Sequence, residues 1–97
     1  MKQLRLTPAA RADLDAIWDY SAVAWGPDQA DSSLRGMFSM MWTLAERPSL
    51  GRGIDEVRPG YFKFPVASHV VFYRQTADGI DVIRILHKRM DLERHLD

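Results

Sequence analysis

The sequence predicts an α+β fold: an N-terminal strand, then an antiparallel two-helix hairpin packed on a mostly antiparallel four-stranded sheet, then a short C-terminal helix. Three observations predict it. Residues 8–45 carry apolar side chains at three- and four-residue spacing, in two runs separated by Gly26-Pro27. Residues 61–87 hold three runs that alternate or are apolar throughout, divided by turn residues. Ahead of both, Leu4 and Leu6 alternate with Gln3 and Arg5, the pattern of a short strand with one wet face.

Each element has its own signals. Thr7-Pro8 opens the first helix: the Thr hydroxyl can accept an orphan backbone N–H, and Pro has none to leave unpaired. Ala10, Leu14, Ile17, Trp18, Ser21 and Trp25 mark its core face, with Asp13, Asp15 and Asp19 pointing mostly away. Gly26 ends this helix and Pro27 opens the second, whose apolar stripe is Ala30, Leu34, Met37, Phe38, Met41, Leu44 and Ala45. So short a break folds the two helices back on each other, and both stripes then need a sheet.

Residues 48–60, with three glycines and two prolines, read as a loop. Phe62, Phe64 and Val66 then alternate with Tyr61, Lys63 and Pro65, a strand with one apolar face and a Pro suited to an edge or an end. Residues 69–75 form the next strand, and residues 76–79 turn the chain, with Gly79 expected to supply positive φ. The last strand, residues 80–86, is apolar on both alternating faces, Val82 and Leu86 on one, Ile83 and Ile85 on the other. That pattern belongs to a strand covered on both sides. Asp91 stands ready to cap a final short helix carrying Leu92 and Leu96.

The totals set bounds. A chain of 97 residues has room for one domain, residues 1–97, and at this size buries roughly 60–70% of its unfolded surface. Thirteen basic residues balance thirteen acidic ones, so no overall charge advertises nucleic-acid binding, and no sequence-specific nucleic-acid contact is expected. There is no cysteine, and three scattered histidines make a poor metal set, so no metal and no cofactor are expected. With neither a secretory signal nor an apolar run long enough to span a bilayer, the expectation is a cytoplasmic protein without membrane association.

Several residues stand out as chemistry. The last strand delivers His87, Lys88 and Arg89 together at its end, a cluster of donors and positive charge. Arg84 sits inside that apolar strand and must be paired, because an unpaired buried guanidinium costs several kcal/mol. Asp81 lies on the opposite face, so the partner is expected to be a helix carboxylate or another protein. Tyr73 reads as a packing aromatic followed by an exposed Arg74. Trp18 and Trp25 belong to a core stripe, whereas Trp42 falls off the stripe of its helix and suits an interface. Met37, Met40 and Met41 fit either a core or an adaptable groove.

The order of elements and the Thr7-Pro8-Ala9-Ala10 opening resemble the ParE branch of the ParE/RelE bacterial toxins. So do three segments: Arg47-Pro48-Ser49-Leu50-Gly51, His69-Val70-Val71-Phe72-Tyr73-Arg74 and Ile83-Arg84-Ile85-Leu86-His87-Lys88-Arg89-Met90-Asp91. The resemblance covers essentially the whole chain. It implies the toxin of a type II toxin–antitoxin pair that inhibits DNA gyrase by binding and forms a hetero-oligomer with a ParD-like antitoxin. On that reading no catalytic residue is expected, and the contact residues are His87, Lys88, Arg89, Arg74, Trp42, Met37 and Met41. The alternative implied by the same superfamily is a RelE-like, ribosome-dependent messenger-RNA endoribonuclease. Its catalytic candidates here are Arg89, His69 and His95, and it would use cationic groups to stabilise phosphorane charge.

Overall fold

Thr7 turns the chain from strand to helix, and much of the fold is set around it. Its hydroxyl accepts the Ala10 N–H at 3.0 Å, capping the first helix, and donates to the Ile83 carbonyl at 2.7 Å in the last strand. One side chain thus joins the start of the helical layer to the middle of the sheet. The computed structural model describes residues 2–95. In it β1 (Gln3–Leu6) leads to α1 (Pro8–Trp25) and α2 (Pro27–Glu46), then a single 3-10 turn (Pro48–Leu50). β2 (Arg52–Gly53), β3 (Tyr61–Val66), β4 (His69–Gln75) and β5 (Gly79–His87) follow, and a second 3-10 turn covers Glu93–His95.

The helices are joined by Gly26 alone. Its N–H donates to the Ala22 carbonyl at 2.9 Å and its own carbonyl accepts from Ala30 at 3.1 Å, so one residue closes α1 and opens α2. Its φ of 96° is open to glycine and strained for other residues.

The strands form one sheet in the order β1-β5-β4-β3-β2. β1 runs parallel to β5 and every other pair is antiparallel. The α+β class is as the sequence predicts, but the sheet has five strands rather than four. The extra one, β2, is two residues long and lies in the segment expected to be loop, too short to carry any periodicity. Gly79 is also placed by a different cause than expected. It does not have positive φ; a Cβ there would run into the Gln3 backbone, so its small size lets β1 lie against β5. The positive φ in this half of the chain belongs to Ala67 (54°), between β3 and β4, and to Gly60 (82°).

The main core lies between helices and sheet: Ala10 and Leu14 of α1, Met37, Met41, Leu44 and Ala45 of α2, and Val71, Tyr73, Ile80, Val82 and Ile85 from the strands. On the opposite face Phe72 and Leu86 are covered by Ile54 and Leu92. This arrangement corrects the predicted faces of β5. Phe72 pairs with Arg84 but Tyr73 pairs with Val82, so Ile83 is an extra residue that bulges the strand. Beyond a bulge every side chain changes face. Val82 and Ile85 therefore share the helix side, and Leu86 lies on the other.

Two further expectations are corrected. Trp25 is 73% exposed rather than packed in the core, because no residue of α1 beyond Leu14 is fully buried. The final helix is one 3-10 turn; Leu92 just before it is buried, while Leu96 lies outside the described residues. Among the described residues no helix is long and apolar enough to cross a membrane.

Candidate functional site

β1 ends at Leu6, leaving the upper half of β5 with an open edge, and α1 fills it. Thr7 N–H donates to the Val82 carbonyl at 3.1 Å and the Thr7 hydroxyl to that of Ile83, two acceptors the bulge turns to the same side. Asp13, two turns into α1, accepts the Ile85 N–H at 2.9 Å. The same carboxylate takes both prongs of Arg84, with Nε to Oδ2 at 2.8 Å and Nη2 to Oδ1 at 2.7 Å. Arg84 Nη1 also donates to the His95 carbonyl at 2.7 Å. The predicted helix carboxylate is therefore Asp13, and the guanidinium ties α1, β5 and the C-terminal turn together.

The segments 47–51 and 69–74 meet at Tyr73. Its ring is fully buried and stacks on Phe62 with centroids 5.6 Å apart. Its hydroxyl donates to the Pro48 carbonyl at 2.6 Å and accepts the Gly51 N–H at 2.9 Å. A Cβ on residue 51 would collide with that hydroxyl, which explains a glycine with ordinary φ at this place. Burial raises the Tyr73 pKa above 10.0, with the Gly51 hydrogen bond acting in the opposite direction.

The basic end of β5 is organised by its own turn. His69 and His87 are cross-strand partners with rings edge-on at 5.6 Å. The Met90 N–H closes on the His87 carbonyl at 2.8 Å, the Arg89 N–H on His87 Nδ1 at 3.2 Å, and the Lys88 N–H on the Ser68 carbonyl at 2.9 Å. Lys88 and Arg89 are exposed, as is Arg74, which pairs with Asp81 across the strands at 3.2 Å. Partial burial lowers the His69 pKa below 6.5; His87 lowers it further, and Asp13 opposes both.

The three residues of the ribonuclease reading are engaged separately. His69 faces His87, Arg89 stands on the exposed turn, and the His95 ring nitrogen Nδ1 donates to the Asp91 carbonyl at 2.7 Å. Among the described residues no hydrogen bond links any two of them. His, Asp and Glu form no cluster of three able to hold a metal ion among the described residues.

Of the helix residues singled out, Met37 and Met41 are 5% and 0% exposed and belong to the core between helices and sheet. Trp42, in contrast, is 47% exposed. It closes a groove of about 450 Å³ with Phe38 of α2, Leu4, Arg5 and Leu6 of β1, and Arg11 of α1. β1 is an edge strand, so one row of its backbone N–H and C=O groups has no strand partner in this sheet. An apolar floor, two arginines at the rim and an unpaired strand edge thus lie side by side. Of its lining residues the sequence marks only Trp42 as suited to an interface. Leu4 and Leu6 looked like ordinary one-faced strand residues, and nothing local signals that Arg11 and Phe38 lie beside them.

Comparison with known proteins agrees with this architecture. The family described as the ParE toxin of the type II toxin–antitoxin system parDE matches residues 4–92. Toxin ParE1 of Mycobacterium tuberculosis is 49% identical over 92 residues, covering 94% of each chain. Toxin ParE1 of Caulobacter vibrioides is 41% identical over 96 residues, covering 99% of each. A solved chain of the chromosomal ParDE system from P. aeruginosa superposes with a TM-score of 0.76 at 27% identity, over 90% of this chain and 96% of that one. A match over nearly the whole length, on the same two-helix and sheet frame, makes this chain a member of the ParE toxin family of type II toxin–antitoxin systems.

Proposed function

We propose that this toxin acts in the cytoplasm by binding DNA gyrase, and that a ParD-like antitoxin neutralises it by docking along β1. The observation that carries the antitoxin site is the groove beside the open β1 edge. An extended segment adding to β1 would gain backbone hydrogen bonds, and alternate side chains would enter the groove among Leu4, Leu6, Phe38 and Trp42. Arg5 and Arg11 at the rim favour carboxylates in that segment. Affinity on this scheme comes from backbone pairing and a Trp anchor, and selectivity from the two arginines.

Membership of the ParE family supports gyrase as target, and Lys88 and Arg89, exposed beside the half-buried His87 at the end of β5, supply donors for the contact. Arg74 adds an exposed guanidinium at the opposite end of that strand pair. Binding rather than catalysis is the mode of inhibition. His69, Arg89 and His95 make no mutual hydrogen bond, which supports a contact surface over a ribonuclease centre.

The deciding experiment adds purified protein to a gyrase supercoiling assay and, separately, to ribosomes translating a defined message. Loss of supercoiling, restored by antitoxin, is the expected result. Intact supercoiling with cut message would replace this reading by the ribonuclease one.

A further inference from the structure

The far end of the helical hairpin is used by none of these sites, and its surface is unusual. Between Arg11 and Arg35 the chain holds Asp13, Asp15, Asp19, Asp28 and Asp31 and no Lys or Arg. Asp13 is neutralised by Arg84, and Asp31 accepts the Trp18 indole N–H at 2.9 Å. Asp15, Asp19 and Asp28 are exposed, and no partner engages them among the described residues. Beside these carboxylates stand two large apolar side chains, Tyr20 74% and Val23 91% exposed, while Trp25, 73% exposed, stands on the other side of α1, in line with Leu14. Asp15, Asp19 and Val23 succeed one another at four-residue spacing, and Tyr20 lies one turn before Val23, so they share the outer side of α1. Trp25 ends the helix at the hairpin turn. Apolar groups this exposed mark an interaction surface when they cluster, and their charged surroundings specify what covers them.

We propose that this tip is a second docking surface, and that its occupant is a Lys/Arg-rich protein surface with an apolar patch, presented by the target gyrase. The proposal rests on the gyrase reading above and adds a second contact to the one made by the basic end of β5. A surface rich in carboxylates is repelled by nucleic-acid phosphates and by anionic lipid headgroups, which leaves a basic protein surface as the complementary partner. An enzyme that handles DNA must display Lys and Arg to do so. Beyond Asp15, which is one turn from Arg11, the tip is remote from the antitoxin groove: Arg11 and Val23 lie twelve residues apart on α1, about 18 Å along its axis, and Pro27 and Trp42 fifteen apart on α2, about 22 Å. The two surfaces can therefore be tested one at a time.

The test compares three full-length proteins: wild type, the charge variant Asp19→Asn, Asp28→Asn, and the apolar variant Tyr20→Ser, Val23→Ser. Each is measured for binding to immobilised gyrase, for inhibition of supercoiling and for antitoxin affinity, with circular dichroism reporting the fold. Both variants are expected to bind gyrase about tenfold more weakly while keeping antitoxin affinity. Raising salt from about 50 to about 200 mM should weaken gyrase binding by wild type and affect the charge variant less. If wild type inhibits gyrase and either variant does so with equal potency, the docking surface is wrong and the gyrase reading stands. If wild type neither binds nor inhibits gyrase, both fail together.

Discussion

Arg84 and Asp13, 71 residues apart, meet in a two-pronged ion pair that holds α1 against the open edge of β5. Both side chains are mostly buried, and the carboxylate also accepts the Ile85 N–H. Breaking such a pair leaves a charge stranded, so Asp13→Ala or Arg84→Ala should each cost about 2–4 kcal/mol. The double variant Asp13→Ala, Arg84→Ala should cost less than the two single losses added together. Urea unfolding of all four proteins checks this; strict additivity would mean the two residues act independently.

Tyr73 and Gly51 make a second coupled pair. Tyr73→Phe removes a hydroxyl that both donates and accepts, for an expected loss of about 1–2 kcal/mol. Gly51→Ala should cost more, because the new methyl collides with that hydroxyl. Placing Gly51→Ala on the Tyr73→Phe background should recover part of the loss in thermal melts. If Gly51→Ala is as damaging on that background as in the wild type, the collision is not the cause.

How much of this was legible in the sequence depends on what each signal encodes. Thr7-Pro8 and the Gly26 break are local chemistry, and both act as predicted. The Ile83 bulge is not local chemistry. Val82, Ile83, Ile85 and Leu86 are all apolar, so the pattern fits either phase and cannot reveal a one-residue slip. Trp25 shows the opposite limit. Helical spacing correctly puts it in line with Leu14, but periodicity gives a direction and does not say whether anything lies there to cover it. Arg84 signals that it needs a partner, a helix carboxylate or another protein; that the partner is Asp13 depends on how α1 crosses the sheet. The β1 groove was invisible for the same reason, since it is assembled from three elements.

Two groups give stability a pH dependence at opposite ends. His69 has a folded pKa below its ordinary 6.5, so the unfolded chain takes up that proton first. Its contribution is present above about pH 6.5 and is lost as pH falls through the lower folded value. Tyr73 has a folded pKa above 10.0, so the unfolded chain ionises first and stability is lost as pH rises beyond 10.0. Urea midpoints across pH should fall on both sides. His69→Gln should flatten the acid limb relative to wild type, and Tyr73→Phe the alkaline limb.

Within the groove, Trp42→Ser should weaken antitoxin binding by about tenfold or more, as expected for a central aromatic anchor. Arg5→Gln with Arg11→Gln should chiefly slow association and reduce its salt dependence. Titration calorimetry and stopped-flow mixing read the two effects, and Trp25→Ser, at the far end of the hairpin, serves as the control. Equal losses from Trp25→Ser and Trp42→Ser would displace the antitoxin site from β1.

Ala67 holds a φ of 54° in the turn between β3 and β4, a region that disfavours a Cβ. Ala67→Gly should therefore raise stability by roughly 0.5–1 kcal/mol, less whatever glycine adds to the freedom of the unfolded chain. A lower melting temperature for the glycine variant would show that the turn bears no such strain.

The parallel pairing of β1 with β5 also sets a timetable for synthesis. Residues 3–6 find their partner strand only when residues 79–82 have left the ribosome, and the Asp13 carboxylate waits still longer for Arg84. Edge strand and neighbouring groove therefore come into being together, only after β5 has been made. A nascent chain offers an antitoxin nothing to hold at that site. On the proposed docking scheme, an antitoxin can act at β1 only on a chain whose β5 has already closed against that strand.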